Sequence, residues 1–186
     1  MCTIFHPADK VPDVRTSGPT LKLRERETHL NKPPVMTALE IRYGDLDPYG
    51  HVNNAVYLGF FETIRLAYWR TLANLAGFTD LEAGDVPGAR YVIAETTVRF
   101  KASIFLEDTL YGAAGVTRVG NRSYTMDFEL RTGESYESGS PVSEGTAAHV
   151  FFDPAKNTVQ PRPYWFLPTV AKLEDRPETD FTPESF

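Results

Sequence analysis

A single helical segment, residues 56–77, limits the folds that are open to this chain. Apolar side chains recur there at spacings of three and four, the period of an α-helix, and further apolar residues widen the stripe over most of the helix surface. Gly77 stands where a helix C-terminus favours a left-handed residue, so we place the end of the helix there. Such a helix has to be buried by the rest of the chain. The members of the stripe include Val56, Tyr57, Phe61, Ile64, Tyr68, Leu72 and Leu75.

The segments around this helix have the features of β-strands. One candidate, residues 38–43, precedes the helix and alternates apolar with charged side chains. We predict an α+β protein, in which a curved antiparallel five-stranded sheet is wrapped around one long central helix. An open sheet of this kind leaves exposed edges, so self-association is expected. The remaining four strand candidates follow the helix at residues 90–101, 109–119, 122–131 and 142–152.

Composition indicates one soluble domain with an extension at each end. The chain has 186 residues, 41% of them hydrophobic, and its net charge of −6 argues against non-specific nucleic-acid binding. We predict an irregular N-terminal extension over residues 1–36, a folded domain over 37–160, and a C-terminal tail over 161–186 that can hold a short helix. Cys2 is the one cysteine, and there is neither a signal-peptide core nor an apolar run long enough to cross a membrane. The expected location is therefore the cytoplasm.

The loop before the helix, residues 45–54, concentrates the reactive groups and is called the motif loop below. Asp45 and Asp47 follow the first predicted strand, and either Asn53 or Asn54 can cap the first free amides of the helix. A carboxylate close to amides at the positive end of a helix dipole is what acyl transfer to water requires. On spacing alone, the favoured role of the two carboxylates is to hydrogen-bond their own turn.

The pattern Asp-x-Asp-Pro-x-Gly-His-Val-Asn-Asn in the motif loop resembles the signature of hotdog-fold acyl-CoA thioesterases of the 4-hydroxybenzoyl-CoA thioesterase type. The similarity continues more loosely through residues 100–103 and 147–153 and covers roughly residues 38–155. This resemblance implies that Asp47 is the catalytic general base or nucleophile and that the Asn54 backbone amide polarises the thioester carbonyl. It also implies acyl-CoA or acyl-carrier-protein substrates, a homodimer or homotetramer with shared active sites, and no cofactor beyond the coenzyme A of the substrate.

The same resemblance assigns further residues to substrate binding. In the family, the turn between the two central strands tends to be basic and contacts the coenzyme A phosphates, but Arg122 is the only charge in this turn. Lys101, Arg99 or the basic N-terminal arm can take over that contact. Structural roles stay open for two of the assigned residues, because His51 can hydrogen-bond its own loop and Glu62 can pair with an arginine three residues later. The assigned residues are Gly50, His51, Tyr57, Glu62, Arg122 and Ser123.

Several other chemistries are disfavoured by the sequence. The motif loop matches the first half of a calcium-binding EF-hand, but Tyr49 and Val56 occupy positions that need oxygen ligands, so we predict no metal site. The chain has no phosphate-binding glycine loop and no Gly-x-Ser-x-Gly elbow. His149, on an apolar strand, is expected to be a hydrogen-bonded core histidine. The alternative function is a non-catalytic hotdog module that binds acyl thioesters or aromatic ligands.

Overall fold

The computed structural model describes residues 30, 32–79 and 86–182; Cys2 and most of the predicted N-terminal extension lie outside these residues. The described part contains two α-helices, six β-strands and short 3-10 turns at Tyr43–Asp45 and Glu178–Asp180. In chain order, the helices and strands are β1 (Val35–Leu39), α1 (Val56–Leu75), β2 (Tyr91–Phe100), β3 (Leu110–Val119), β4 (Ser123–Thr132), β5 (Ser140–Asp153), β6 (Thr158–Val159) and α2 (Phe166–Leu173).

All strand pairs among the described residues are antiparallel, and the strand order is β1-β3-β4-β5-β2, with the short β6 paired to β5. The hairpin between β3 and β4 closes as the sequence predicts, with the Gly120 N–H donating to the Ser123 carbonyl at 2.7 Å. The α+β class and the antiparallel sheet are thereby confirmed. The described part contains one strand more than the five expected, because the chain turns back after β5 and adds two residues as β6.

The first strand lies earlier in the chain than its alternating pattern indicated. We expected it at residues 38–43, whereas β1 covers Val35–Leu39 and pairs with β3 from Val35 opposite Ala114 to Leu39 opposite Leu110. The cause is the motif loop itself, since the Arg42 N–H donates to the Asp45 carboxylate at 2.8 Å and draws the chain into a 3-10 turn. The predicted domain boundary at residue 37 therefore falls inside a strand.

Helix α1 packs against β1, β3 and α2, and its apolar stripe is buried except at the two ends, where Val56 is half-buried and Leu75 is exposed. The helix ends at Leu75, and Gly77 follows with a φ of +89°, so the Phe78 N–H can donate to the Ala73 carbonyl at 2.9 Å. Burying each large apolar side chain stabilises the fold by about 1.5–3 kcal/mol. The buried residues of the helix are Tyr57, Phe60, Phe61, Ile64, Arg65, Tyr68, Trp69, Leu72 and Ala73.

The C-terminal segment, predicted as a tail, packs into the hydrophobic core. Helix α2 begins at Phe166, and Phe166 and Val170 have no exposed surface. Glu174 then fixes the segment to the rest of the fold, because its Oε1 accepts hydrogen bonds from the Tyr68 hydroxyl at 2.7 Å and the Val116 N–H at 2.6 Å. Burial raises the pKa of the Glu174 carboxyl above its ordinary value.

We expect Glu174→Ala to lower the free energy of unfolding by about 2 kcal/mol, because it leaves two buried donors without an acceptor. Glu174→Gln keeps an oxygen in the same place and should stay close to the parent protein. Glu178→Ala is the matched control, since the Glu178 side chain is exposed. Urea denaturation followed by tryptophan fluorescence measures all three changes. A loss in Glu174→Ala no larger than that in Glu178→Ala would contradict this role.

Candidate active site

The motif loop holds the Asp47 carboxylate in a tight turn. Its Oδ1 accepts hydrogen bonds from the Tyr49 N–H at 2.8 Å and the His51 N–H at 3.2 Å. The Asp47 N–H donates to the His51 carbonyl at 2.8 Å, and the Gly50 N–H donates to the Asp47 carbonyl at 3.0 Å. Gly50 has a φ of +81°, which a side chain would disfavour, so this position in the turn favours glycine. Among the described residues, no group donates to Oδ2, and this oxygen remains available for chemistry.

The loop is tied to a second segment that follows β2. Val52 is buried, and its N–H donates to the carbonyl of the buried Ile104 at 2.8 Å. The His51 ring meets the Phe105 ring edge to face, with 5.0 Å between their centroids. The Asp45 carboxylate holds the motif loop in shape, because it accepts a hydrogen bond from the Arg42 N–H. The position of Asp47 therefore depends on residues about fifty positions later in the chain.

An uncommitted amide lies at the start of α1. Neither candidate asparagine caps the helix, whose N-cap is Ala55 and has no side-chain cap hydrogen bond. Asn53 instead closes a turn just before the helix, since its Oδ1 accepts from the Ala55 N–H at 3.0 Å and its carbonyl accepts from the Val56 N–H at 2.9 Å. The Asn54 N–H makes no hydrogen bond to any residue that the structure describes. It stands at the positive end of the α1 dipole, where a free N–H attracts a partial negative charge.

Asp47 and Asn54 line the same cleft, which has a volume of about 270 Å³ and is called the motif cleft below. Tyr57 closes one side, where its ring meets the Phe100 ring edge to face at 4.8 Å, and burial raises the pKa of its hydroxyl above the ordinary value. Lys101 brings a positive charge and pairs with the buried Glu144 at 2.6 Å. The lining residues are Asp47, His51, Val52, Asn54, Tyr57, Phe100, Lys101, Ala102 and Ser103.

The structure does not bring all the predicted substrate-binding residues to this cleft. His51 and Tyr57 line it, and Gly50 shapes the turn behind it. Glu62 instead pairs with Arg65 and lines a different cavity. Arg122 and Ser123 lie at the opposite end of the sheet, because the ten residues of β4 span roughly 30 Å. Neither residue lines the motif cleft.

Sequence reasoning missed the wall formed by Phe100, Ala102 and Ser103. These residues were part of the looser similarity, but nothing in their types marks them as site residues. Val52 was also missed, although it follows His51 directly. Only the pairing of the motif loop with Ile104 places both segments at one cleft.

His149 differs from its prediction in one respect. It is buried as expected, with no exposed surface, but neither ring nitrogen has a hydrogen-bond partner among the described residues. Its ring stacks on Tyr124 with 4.4 Å between centroids. Burial, assisted by the charge of Arg65, lowers the pKa of His149 to about 3, so the ring is neutral at physiological pH.

No group of three or more His, Cys, Asp or Glu side chains in the described part of the chain is arranged to hold a metal ion. No helix in the same part is long and apolar enough to cross a membrane.

Comparison with solved structures gives close agreement in fold. A thioesterase from Thermus thermophilus, solved with coenzyme A and Zn, is 27% identical, with a TM-score of 0.65, covering 78% of this chain and 97% of that one. A 1,4-dihydroxy-2-naphthoyl-CoA thioesterase from Synechocystis is 17% identical, with a TM-score of 0.60 over 76% of this chain and 98% of that one. A gentisyl-coenzyme A thioesterase is 20% identical, with a TM-score of 0.59 over 74% and 100% of the two chains.

Sequence comparison assigns the family. None of the curated proteins compared with this sequence matches it. The thioesterase-like superfamily matches residues 41–171, which is well over half of the chain and includes the motif loop, α1 and the sheet from β2 to β6. The resemblance to hotdog-fold thioesterases and the enzyme class, thioester hydrolase, are thereby confirmed. The chain belongs to the thioesterase-like superfamily.

Proposed function

We propose that the protein hydrolyses acyl-CoA or acyl-carrier-protein thioesters, with Asp47 as general base or nucleophile and the Asn54 backbone N–H polarising the thioester carbonyl. The observation that carries this proposal is the convergence of the two groups in the motif cleft. The Asp47 carboxylate is oriented by two loop amides, and the Asn54 N–H is uncommitted among the described residues. A fixed base beside a free helix-start amide is the minimum set of groups that thioester hydrolysis needs.

The reaction follows from the charges that develop. As a general base, Asp47 Oδ2 removes a proton from water while the water oxygen bonds to the carbonyl carbon. As a nucleophile, the same oxygen bonds to that carbon directly and gives an anhydride, which water then opens. In both routes the carbonyl oxygen becomes an oxyanion, which the Asn54 N–H stabilises, and the carbon–sulfur bond breaks to release the thiolate. Such an amide typically contributes about 3 kcal/mol to the transition state.

A panel of acyl-CoAs assayed by release of free thiol tests this function. Short, long and aromatic acyl groups are included, because two similar structures are thioesterases named for 1,4-dihydroxy-2-naphthoyl-CoA and gentisyl-coenzyme A. We expect release above the uncatalysed rate for at least one acyl class. The alternative, a non-catalytic module, predicts that an acyl-CoA binds without any release of thiol.

Lys101 is proposed to contact the coenzyme A phosphates, since it lines the motif cleft and Arg122 does not. We expect Lys101→Met to raise KM for an acyl-CoA about five-fold, because a partly exposed charge pair contributes on the order of 1 kcal/mol. Glu144 keeps its ion pair with Arg99 in this variant. A pantetheine thioester lacks the 3′-phosphoadenosine part, so its KM should not change. Lys156→Met is the matched control, at an exposed lysine paired with Asp153. Equal effects on both substrates would contradict the contact.

A homodimer or homotetramer is proposed from the edge strand β2. This strand pairs on one side only, with β5, and it exposes Val92, Ile93 and Phe100. Exposed apolar side chains on a free edge favour pairing with a second copy, and a curved sheet wrapped around α1 as a long central helix leaves this edge accessible. Sedimentation at micromolar concentration should give at least twice the chain mass of 20.9 kDa. A monomer under these conditions would contradict the proposal. A cytoplasmic location remains a prediction from the sequence.

A further inference from the structure

A second cavity, of about 880 Å³, lies between the second half of α1 and the start of β2. We call it the arginine cavity; its lining includes Glu62, Arg65, Trp69, Arg70, Arg90 and Tyr91. Val92 and Ile93 also line it, so a second copy paired at the β2 edge would border this cavity. No residue of the motif loop takes part in the lining, so it is distinct from the motif cleft within one chain. Its volume is in the range of cavities that hold a small organic molecule.

The charged lining of this cavity favours an anion. Three arginines and one glutamate face it, although the whole chain has a net charge of −6. Arg65 is 5% exposed, and its guanidinium is already oriented, because Nε donates to the Tyr91 hydroxyl at 3.1 Å and Nη2 pairs with Glu62. A guanidinium has five N–H donors in a planar fork that matches a carboxylate. A fixed, buried fork of this kind requires little reorganisation when it binds an anion.

The aromatic lining offers one flat surface to the rest of that ligand. The Trp69 and Tyr91 rings stack on each other with 5.4 Å between centroids and 17° between planes, so a ligand ring can pack only on the outer side of this pair, at the half-buried Tyr91. Their positions are fixed from behind, since the indole N–H of Trp69 donates to the buried Tyr124 hydroxyl at 3.1 Å, and His149 stacks on Tyr124 while meeting the Tyr91 ring edge to face. Because His149 is neutral, the positive charges that the described residues bring to this cavity are those of the arginines.

We propose that the arginine cavity binds a flat aromatic carboxylate, with the carboxylate on Arg65 and the ring on the outer side of the Trp69 and Tyr91 pair, at Tyr91. Glu62 then acts as a competitor, because its carboxylate occupies donors that the ligand would use. By this competition Glu62 would help to select which anion binds in the arginine cavity. The inference does not depend on the hydrolysis proposed above, since it concerns binding at a cavity that the motif loop does not reach.

Calorimetric titration of the intact protein with 2-naphthoate, and with the neutral 2-naphthamide as a matched ligand, tests the proposal. We expect naphthoate to bind at least ten-fold more tightly than naphthamide, which has the same ring without the charge. Arg65→Met should abolish this preference. Glu62→Gln should tighten naphthoate binding several-fold, because it removes the competing charge from an exposed position without disturbing the core. Arg118→Gln, at an exposed arginine outside the cavity, should leave both affinities unchanged.

Several outcomes would overturn the proposal. Equal affinities for the two ligands would remove the role of the carboxylate. Unchanged naphthoate affinity in Glu62→Gln would remove the competition, and this variant decides the matter even if Arg65→Met does not fold. Displacement of naphthoate by an equimolar concentration of a 3′-phosphoadenosine nucleotide would assign the arginines to a phosphate instead.

Discussion

Asp47→Asn is expected to reduce kcat for thioester hydrolysis by at least about 100-fold, because an amide neither accepts a proton from water nor attacks a carbonyl. The amide oxygen of the variant can still accept from the Tyr49 and His51 N–H groups, so the turn and the substrate KM should change little. Release of free thiol from the best acyl-CoA of the panel, measured together with the melting temperature, separates loss of chemistry from loss of fold. Turnover at the parent rate in a folded Asp47→Asn variant would refute the mechanism.

The motif loop offers a matched control for this experiment. Asp45 is two residues away and has the same side chain, but its carboxylate accepts from the Arg42 N–H, which an asparagine oxygen can also do. We therefore expect Asp45→Asn to retain most of its activity. Equal losses in Asp45→Asn and Asp47→Asn would mean that both carboxylates act by holding the loop, which is the structural alternative that the spacing alone left open.

The parts of the fold that the sequence predicted are those governed by a local period. The α1 helix and the strands from β3 to β5 were found because apolar spacing reports directly on which face is buried. The first strand was misplaced because residues 38–43 also alternate, whereas its true end is set by a hydrogen bond from Arg42 to Asp45. A single side chain that accepts a hydrogen bond from the backbone can end a strand even where apolar and charged residues continue to alternate.

The candidate site was predicted only as far as the motif reaches. Asp47 and Asn54 were proposed because the ten-residue motif that holds both resembles a family signature, but the wall formed by Phe100, Ala102 and Ser103 depends on a pairing across the fold. Arg122 was assigned by analogy with a turn, and it does not line the motif cleft, because it lies at the other end of β4. A local motif can therefore propose reacting groups, whereas the other walls of a cleft come from tertiary contacts.

The distance between α1 and the sheet is set by glycines, and this gives the second large expected effect. A Cβ at Gly145 on β5 would collide with the Phe61 ring and lie 2.5 Å from the Thr97 carbonyl oxygen. The Phe61 ring stacks on Phe128 at 4.8 Å, so it has no free direction in which to move, and the Thr97 oxygen belongs to the backbone of β2. We expect Gly145→Ala to lower the free energy of unfolding by about 3 kcal/mol, at the upper end of overpacking effects.

Gly59→Ala is the control for this substitution, because a Cβ at Gly59 on α1 has no neighbour within 4 Å. It should raise the free energy of unfolding by about 0.5–1 kcal/mol, since alanine favours a helix interior more than glycine does. The urea concentrations at which the two variants are half unfolded should therefore shift in opposite directions from that of the parent protein. Because α1 carries the Asn54 amide at its start, any folded Gly145→Ala protein should also lose kcat for thioester hydrolysis, while Gly59→Ala should retain it. A Gly145→Ala protein as stable and as active as the parent would show that the helix does not need this close approach to the sheet.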